Sequence, residues 1–497
     1  MAKAATIATG PLRNLLVIGR VGHDQAVVLL RVERPAKYEL TVWCSADCPP
    51  QSKSVFVAID DLRSDLTRPV TLRGLQPGRD YRIELRDSFG VQLAHGRFHT
   101  TPLKGEASTH DAFFSIAVFS CYQPFNDAGE VDAKSARMLE CAHELMHEKQ
   151  CRIALMVGDQ MYADAPRSSS LFADEKLFGL DTQAVREAYQ ARYRRFWNVY
   201  PWKILQAERP CYPVPDDHDV VDNFGSSPDH ASDEWEAIRN GAFEAFGDYQ
   251  AARMAHDASS DRARLRTGFS FDFHYGPVGG FALDLRSQRR VGSRPQLIED
   301  AQFDSLKAVL RKHADKPVFI LAMSLPLLHV PRTLAWLGGV LTSRGSDFED
   351  RLSHPNFDKD RNRLIGIIAE HRLEYPDQRF VIASGDIHIG AVTKVAFAGL
   401  GVEVHQLISS PLANRESILV SLASRLSLLH HTSAFGRGAH RVTSSVLKAV
   451  KPMRNPYCGL NVGFIEVSGP WEAPILRLSL YGFEKGKLNC VYRTEAL

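Results

Sequence analysis

The stretch RIALMVGDQMYAD, residues 152–164, sets the architecture of most of this chain. Its first part is an unbroken apolar run, typical of a buried strand, which ends at Gly158-Asp159. An aspartate that leaves a strand tip beside a glycine can direct both carboxylate oxygens into a crevice and bridge two metal ions. Tyr162 can offer a phenolate oxygen, which suits ferric iron. The alternative is that Asp159 caps a helix and Tyr162 packs against it.

Two further strand ends carry residues that can bind metals. FSIAVFSCYQPF, residues 114–125, is a second apolar strand that ends at Cys121, and RFVIASGDIHIG, residues 379–390, ends in Asp386 and His388. If the last strand continued, alternation would point Asp386 and His388 to the same side. Taken singly, the cysteine is more often a small core residue and the aspartate a turn former.

An acidic stretch, PVPDDHDVVDNFG at residues 213–225, follows a β-prone run. Asp217 is a candidate metal ligand, and His218 beside it is a candidate general acid for a leaving-group oxygen. Asn223 is a weaker candidate that offers an amide oxygen to a hard cation. Such a cluster is often only a solvated loop, but its repetition at successive strand ends predicts one metal site.

The chain between these strands has helical apolar patterns such as AKSARMLECAHELMHEK and LIEDAQFDSLKAVLRKH. Strands that alternate with helices predict a layered α/β domain, in which ligands bind at the carboxyl ends of the strands. We assign residues 106–497 to this domain. Within it, residues 415–455 have a helical rhythm and a basic second half, which indicates a helical, partly basic insertion or a phosphate-binding lid.

The N-terminal part, residues 1–105, has a different pattern. From about residue 13 to 101 the chain shows seven short β-prone runs separated by turns, which predicts a small all-β sandwich. The piece GLQPGRDYRIELRD, a turn followed by a tyrosine that opens a strand, is typical of an immunoglobulin-like or fibronectin-like domain. The polar segment TPLKGEASTHDA follows as a linker.

Composition narrows the class of protein. The 60 basic and 58 acidic residues give a net charge of +2, so no general attraction to nucleic acid is expected. The N-terminus lacks the pattern of a secretory signal, and no apolar run reaches the roughly 18 residues of a membrane span. The 8 cysteines are scattered, as in a reducing compartment. We expect a soluble cytoplasmic protein; its oligomeric state stays open.

The motifs FSCYQ, VGDQMYAD, DDHDVVDN, LDLRSQR and SGDIHIG, in this order behind a β-sandwich, resemble the alkaline phosphatase D (PhoD-like) family of metallophosphoesterases. The resemblance extends from about residue 13 to 490. It implies an α/β fold with a four-layer α/β/β/α catalytic domain. It also implies a tyrosine-ligated ferric iron paired with a divalent cation, calcium being expected and zinc, manganese or magnesium being alternatives.

The same resemblance suggests individual roles. It implies that Cys121, Asp159 and Tyr162 are ligands, with Asp159 bridging the metals, and that Asp217, Asp386 and His388 complete the set around the acid His218. Tyr189 is a second candidate for the phenolate. Ser324 stands where many relatives carry a histidine ligand. Arg286 and Arg289, in LDLRSQRR, are candidates to hold phosphate oxygens, although arginines at a strand end are as often only solvated.

These residues together predict hydrolysis of phosphate esters. A metal-bridging hydroxide would attack phosphorus in line, and His218 would protonate the leaving group. The substrate would be a small phosphoester, a phospholipid or a nucleotide. One alternative is a phosphodiesterase specific for nucleotide or phospholipid diesters. Another, of a different class, is a catalytically silent scaffold that binds a lipid or a partner protein.

Overall fold

The computed structural model describes residues 14–45, 52–105, 113–254, 268–290, 295–329, 349–397, 399–414 and 442–497, and the backbone of 433–435. The first seven strands are β1 (Leu15–Val21), β2 (Gln25–Arg31), β3 (Ala36–Cys44), β4 (Ser52–Ile59), β5 (Thr67–Arg73), β6 (Asp80–Arg86) and β7 (Gln92–His99). They form one sheet in the order β1-β2-β5 and another in the order β4-β3-β6-β7. Val28, Leu40 and Ile83 are fully buried in the core that the two sheets share. The predicted sandwich is confirmed.

Two larger sheets form the rest of the protein. The first has the order β10-β9-β8-β19-β20-β21. Its strands are β8 (Phe113–Phe119), β9 (Cys151–Val157), β10 (Cys211–Val214), β19 (Asn461–Ser468), β20 (Ile475–Glu484) and β21 (Lys487–Arg493). The second has the order β11-β12-β13-β14-β16-β15-β18-β17. Its strands are β11 (Phe271–Tyr275), β12 (Val278–Leu283), β13 (Val318–Met323), β14 (Arg379–Ser384), β15 (Ala391–Phe397), β16 (Val402–Ile408), β17 (Ser433–Phe435) and β18 (Val442–Val446). Strands β8, β9 and β10 run parallel to one another, as do β12, β13, β14 and β16.

Helices cover both outer faces of the sheet pair. The described helices longer than one turn are α1 (Ala133–Glu148), α2 (Thr182–Trp197), α3 (Tyr200–Ala207), α4 (Asp233–Tyr249), α5 (Asp300–Lys312) and α6 (Asp358–Glu374). The start of α1 is fixed by Asp132, whose carboxylate accepts a hydrogen bond from the Ser135 amide at 2.9 Å. None of these helices is long and apolar enough to cross a membrane.

Side-chain alternation along the strands separates the layers. Ile116 and Val118 of β8 share a buried cluster with Ile320 of β13, which lies between the two sheets. Their neighbours Ala117 and Phe119 belong instead to the cluster that contains the buried residues of α1 and α2. On the other side, Phe319 and Leu321 of β13 pack with α5 and α6. The expected four-layer α/β/β/α arrangement is therefore confirmed.

The sandwich contacts the α/β/β/α layers at several points. The Tyr212 hydroxyl on β10 accepts a hydrogen bond from the Val21 amide at 3.1 Å. Helix α2 reaches the loop between β4 and β5: the Gln190 side chain donates to the Arg63 carbonyl at 2.9 Å, and Arg194 pairs with Asp65 at 2.6 Å. The predicted junction between the domains falls at residues 106–112, outside the described residues.

The predicted helical insertion at 415–455 is wrong where the structure describes it. Strand β17 (Ser433–Phe435) pairs with β18 (Val442–Val446), which in turn pairs with β15, all antiparallel. The sequence VTSSV is rich in β-branched and hydroxyl residues, which favour a strand over a helix, and β15 offers it an open edge. Residues 415–432 and 436–441 lie outside the described residues.

Replacing Ile320 by alanine tests the layer between the sheets. Ile320 is fully buried there, so Ile320→Ala is expected to lower the free energy of unfolding by about 2–5 kcal/mol, measured by denaturant titration. Leu373→Ala is the matched control, because Leu373 is an exposed aliphatic residue of α6, and its effect should stay within about 0.5 kcal/mol. Equal effects at the two positions would contradict the layer assignment.

Candidate metal centre

The site forms where four strands of the two sheets end. Strand β8 leads to Cys121, β9 to Asp159, β10 to Asp216 and Asp217, and β14 to Asp386. The loops after β8 and β9 are joined directly, because the Tyr122 amide donates to the Asp159 carbonyl at 2.8 Å. Ligand sites at the carboxyl ends of parallel strands are the rule for such sheets.

Sharp turns bring these side chains together. Cys121, Asp159, Asn223, Asp386 and His388 have positive φ, between 55° and 63°, and are five of the eleven non-glycine residues with this conformation in the described ranges. Each such residue costs roughly 1 kcal/mol or more, and such strain is concentrated at functional sites. Strand β14 ends at Ser384, so the condition under which alternation would place Asp386 and His388 on one side is not met, and turns place both side chains.

The centre of the site is a cluster of aspartates. Carboxylate oxygens of Asp159, Asp216, Asp217 and Asp386 lie within 4.8 Å of one another, and Asp159 and Asp217 form a second group with His218. Asp216 was not singled out from the sequence, although it immediately precedes Asp217 in the acidic stretch.

The aspartates fit a cation. Asp216 Oδ2 and Asp217 Oδ1 are buried and accept no hydrogen bond within the described part of the chain. Burial, reinforced by the charge of Asp217, raises the pKa of Asp159 well above its ordinary value. Burial also raises the pKa of Asp216, to about 6, although Arg286 opposes this. Bound cations would offset the charge and supply the two oxygens with partners.

A thiol and a phenol border the same carboxylate. Cys121 Sγ lies 3.3 Å from Asp159 Oδ2, and the Tyr162 hydroxyl donates to this oxygen, also at 3.3 Å. Ser410 holds the sulfur in place by donating to it at 3.1 Å. Burial raises the pKa of both Cys121 and Tyr162 well above their ordinary values. The two groups predicted as anionic ligands thus meet at Asp159.

His218 is oriented by an aspartate that the sequence did not identify. Its Nδ1 lies 2.8 Å from Asp164 Oδ1, and its ring stacks on Tyr162 with centroids 4.1 Å apart. Burial disfavours the imidazolium, but the charges of Asp164 and Asp217 raise the pKa of His218 well above its ordinary value. The sequence signal that could have identified Asp164 is its position two residues after Tyr162 in the same motif.

The loop that carries Tyr162 and Asp164 is held by helix α2. The buried Arg192 donates to the carbonyl of Tyr162 at 2.8 Å, to that of Ser169 at 2.9 Å and to that of Ala165. Tyr189, the second candidate for the phenolate, donates to the Val220 carbonyl at 2.7 Å. It therefore supports the loop behind His218, and Tyr162 is the phenol that contacts the cluster.

The remaining candidates lie at the edge of the cluster. His388 Nε2 is 3.3 Å from the Asn414 side-chain nitrogen, which also lies 3.5 Å from the Tyr162 hydroxyl. His388 is not among the residues whose ligand atoms converge within 4.8 Å. The Asn223 amide donates to Asp217 Oδ2 at 2.6 Å, so its backbone orients a candidate ligand. The Ser324 carbonyl accepts from Gly385 at 2.9 Å, which fixes the turn before Asp386.

The two arginines predicted to hold phosphate have other partners. The side chains of Arg286 and Arg289 are 0% exposed. Arg286 binds Asp216 at 2.5 Å and forms a bidentate pair with Asp350 at 2.5 and 2.6 Å, and Arg289 binds Asp350 at 2.5 Å. Burial works to raise the pKa of Asp350, yet the charges of Arg286 and Arg289 hold it well below its ordinary value. In this arrangement neither arginine is available to a substrate. The sequence could not predict this pairing, because it does not show which acidic residues will lie opposite the arginines in the fold.

The protein has an α/β/β/α domain with an Asp/His cluster, a candidate metal site, at its strand ends. Together with the family match, this places the protein in the class of phosphoesterase hydrolases. The chain belongs to the PhoD-like phosphatase family, whose model matches residues 116–417. The family resemblance noted in the sequence is confirmed.

A solved structure supports the fold. A structure of PhoD matches with a TM-score of 0.62 at 13% identity, covering 98% of this chain and 94% of that chain. At this identity the likeness shows the fold alone. A fibronectin type III domain of human collagen XX matches 20% of this chain over 100% of its own length at 20% identity, with a TM-score of 0.15. No curated protein matches this chain in sequence.

Replacing Gly158 by alanine tests the close approach of the β9 and β10 loops. A Cβ at Gly158 would lie 2.7 Å from Asp216 Cβ and 3.0 Å from its unpaired Oδ2. Gly158→Ala is therefore expected to displace Asp216 and reduce the metal content of the purified protein, measured by elemental analysis. Gly179→Ala is the control, since Gly179 also has positive φ but no atom of the described residues lies within 4 Å of its added Cβ. Unchanged metal content in Gly158→Ala would exclude Asp216 as a ligand.

Proposed function

We propose that this chain hydrolyses phosphate esters with two cations that share Asp159. The observation that carries the proposal is the position of this one carboxylate. Its Oδ2 faces Cys121 and Tyr162, its Oδ1 accepts the His218 amide at 3.3 Å, and it belongs to both groups of converging ligand atoms. A carboxylate whose two oxygens face different groups of possible metal ligands is suited to bridge two metals.

The two sides of Asp159 suit different cations. Cys121 and Tyr162 offer sulfur and phenol oxygen, which favour ferric iron. Asp216, Asp217 and Asp386 offer carboxylate oxygens, which favour a hard divalent cation. We therefore propose Fe³⁺ with Ca²⁺, while Zn²⁺, Mn²⁺ or Mg²⁺ remain alternatives for the second position. The bound pair would lower the pKa of water and offset the charge that develops on the phosphoryl group.

His218 supplies the proton in this proposal. Asp164 holds Nδ1, so Nε2 is the nitrogen left to donate, and the exposed Asp222 lies 3.6 Å from it. The charges of Asp164 and Asp217 raise the pKa of His218 above its ordinary value, which is the direction that favours a general acid. Asp164 positions this ring without contacting the substrate.

The ester class is tested with paired substrates. A phosphomonoester and matched nucleotide and phospholipid diesters, offered to the metal-loaded protein at equal concentration, separate a monoesterase from a diesterase by kcat/KM. Metal-loaded protein that hydrolyses none of them, in a panel that spans activated and unactivated leaving groups, would contradict the proposed function.

His218→Ala tests the role of the acid. We expect turnover of esters with poor leaving groups to fall about 10²–10⁴-fold, while an activated aryl ester loses much less because its leaving group departs unprotonated. His23→Ala is the control, since His23 is exposed on the sandwich, and it should leave both rates unchanged. Loss of metal from His218→Ala would assign His218 as a ligand, and full turnover of the poor esters would exclude it as the acid.

Tyr162→Phe tests the iron assignment. Iron bound to a phenolate absorbs visible light by charge transfer, so the purified protein should be coloured and Tyr162→Phe should lose the band. Tyr189→Phe is the matched control, because Tyr189 is also buried and hydrogen-bonded and its removal should keep the band. Loss of the band in Tyr189→Phe but not in Tyr162→Phe would assign the phenolate to Tyr189 instead. A colourless, active, iron-free protein would exclude ferric iron.

A further inference from the structure

A phosphoryl group bound at the acidic cluster would be stabilised by a cationic side chain that can reach its oxygens. Arg286 and Arg289 do not meet this need, because both side chains are 0% exposed and paired with Asp350 or Asp216. A guanidinium that binds substrate must be close to the cluster and accessible from outside.

Arg351 meets both conditions. Its Nη1 contacts Asp386 Oδ2, one of the converging carboxylates, and its side chain is 22% exposed. It therefore lies on the side of the cluster that is open to solvent, whereas Arg286 lies on the closed side.

The loop that presents Arg351 is held on both sides of this residue. On one side, Asp350 accepts hydrogen bonds from the two buried arginines and from the Ser226 hydroxyl at 2.8 Å. On the other, the buried Arg361 donates to the Leu352 carbonyl at 2.9 Å. The backbone on both sides of Arg351 is thus fixed near the cluster.

We propose that Arg351 is the residue that binds the non-bridging oxygens of the substrate phosphoryl group; this inference rests on the proposed function. A cation bound at the cluster would compete with Arg351 for the Asp386 carboxylate and so weaken the ion pair between Asp386 and the guanidinium. The planar N–H groups of arginine match phosphate oxygens in a bidentate pair, which lysine does not reproduce. Asp386 thus keeps Arg351 at the place where the phosphoryl group arrives.

The test compares metal-loaded wild type with Arg351→Ala, Arg351→Lys and the control Arg363→Ala. Arg363 is the matched control because its side chain is 33% exposed and paired with an aspartate, Asp300, away from the cluster. The measurements are the affinity for inorganic phosphate by calorimetry, kcat and KM for a phosphomonoester, and bound metal by elemental analysis.

Arg351→Ala should weaken phosphate binding and raise KM about 10- to 100-fold, as expected for the loss of hydrogen bonds to a charged group, with metal content unchanged. Arg351→Lys should recover part of the loss, and Arg363→Ala should match wild type. Unchanged phosphate affinity in Arg351→Ala would overturn the inference. Loss of metal in parallel with phosphate affinity would also overturn it, because Arg351 would then act only by positioning Asp386. Wild type that binds phosphate but hydrolyses no ester would contradict the proposed function and not the role of Arg351.

Discussion

Mutual repulsion among buried carboxylates is the constraint on which this site depends. Asp159, Asp216 and Asp217 are nearly inaccessible to solvent, and their oxygens converge with those of Asp386 within 4.8 Å. Two like charges at about 4 Å repel by roughly 4 kcal/mol at the effective dielectric of a protein. The fold must hold these groups together against that repulsion, and it does so with strained turns and a close approach of loops at Gly158.

The protein supplies only part of the compensating charge. Arg286 neutralises Asp216 from the closed side, and Asp350 links it to Arg289, so the acids and bases form one buried network. Removing one member of such a network leaves another charge buried without a partner, which costs several kcal/mol. Arg351 adds positive charge on the side of the cluster that is open to solvent. Asp216 Oδ2 and Asp217 Oδ1, which accept no hydrogen bond from the described residues, are where bound cations would complete the balance.

The sequence was informative where the chemistry is local. Apolar runs that end in Cys121, Asp159 and Asp217 predicted the strands and their ligand-bearing ends, and Tyr162 lies close enough to Asp159 along the chain to be recognised with it. The pairing of Arg286 with Asp350 was not predictable, because 64 residues separate them and only the fold brings them together. The left-handed turns at Asp386 and His388 were missed for another reason: aspartate and histidine adopt this conformation too rarely for a pattern to indicate it.

Helix α2 contacts both the sandwich and the loop that carries Tyr162 and Asp164. Gln190 and Arg194 face the sandwich at Arg63 and Asp65, and Arg192 between them binds the carbonyls of the loop that carries Tyr162 and Asp164. One helix turn therefore supports two interfaces at once. The sequence predicts a domain boundary near residue 105, but the contacts that support helix α2 come from both sides of this boundary. A fragment without the sandwich would lose the partners of Gln190 and Arg194 on the helix that holds the loop of Tyr162 and Asp164, so the small domain contributes to the support of the site.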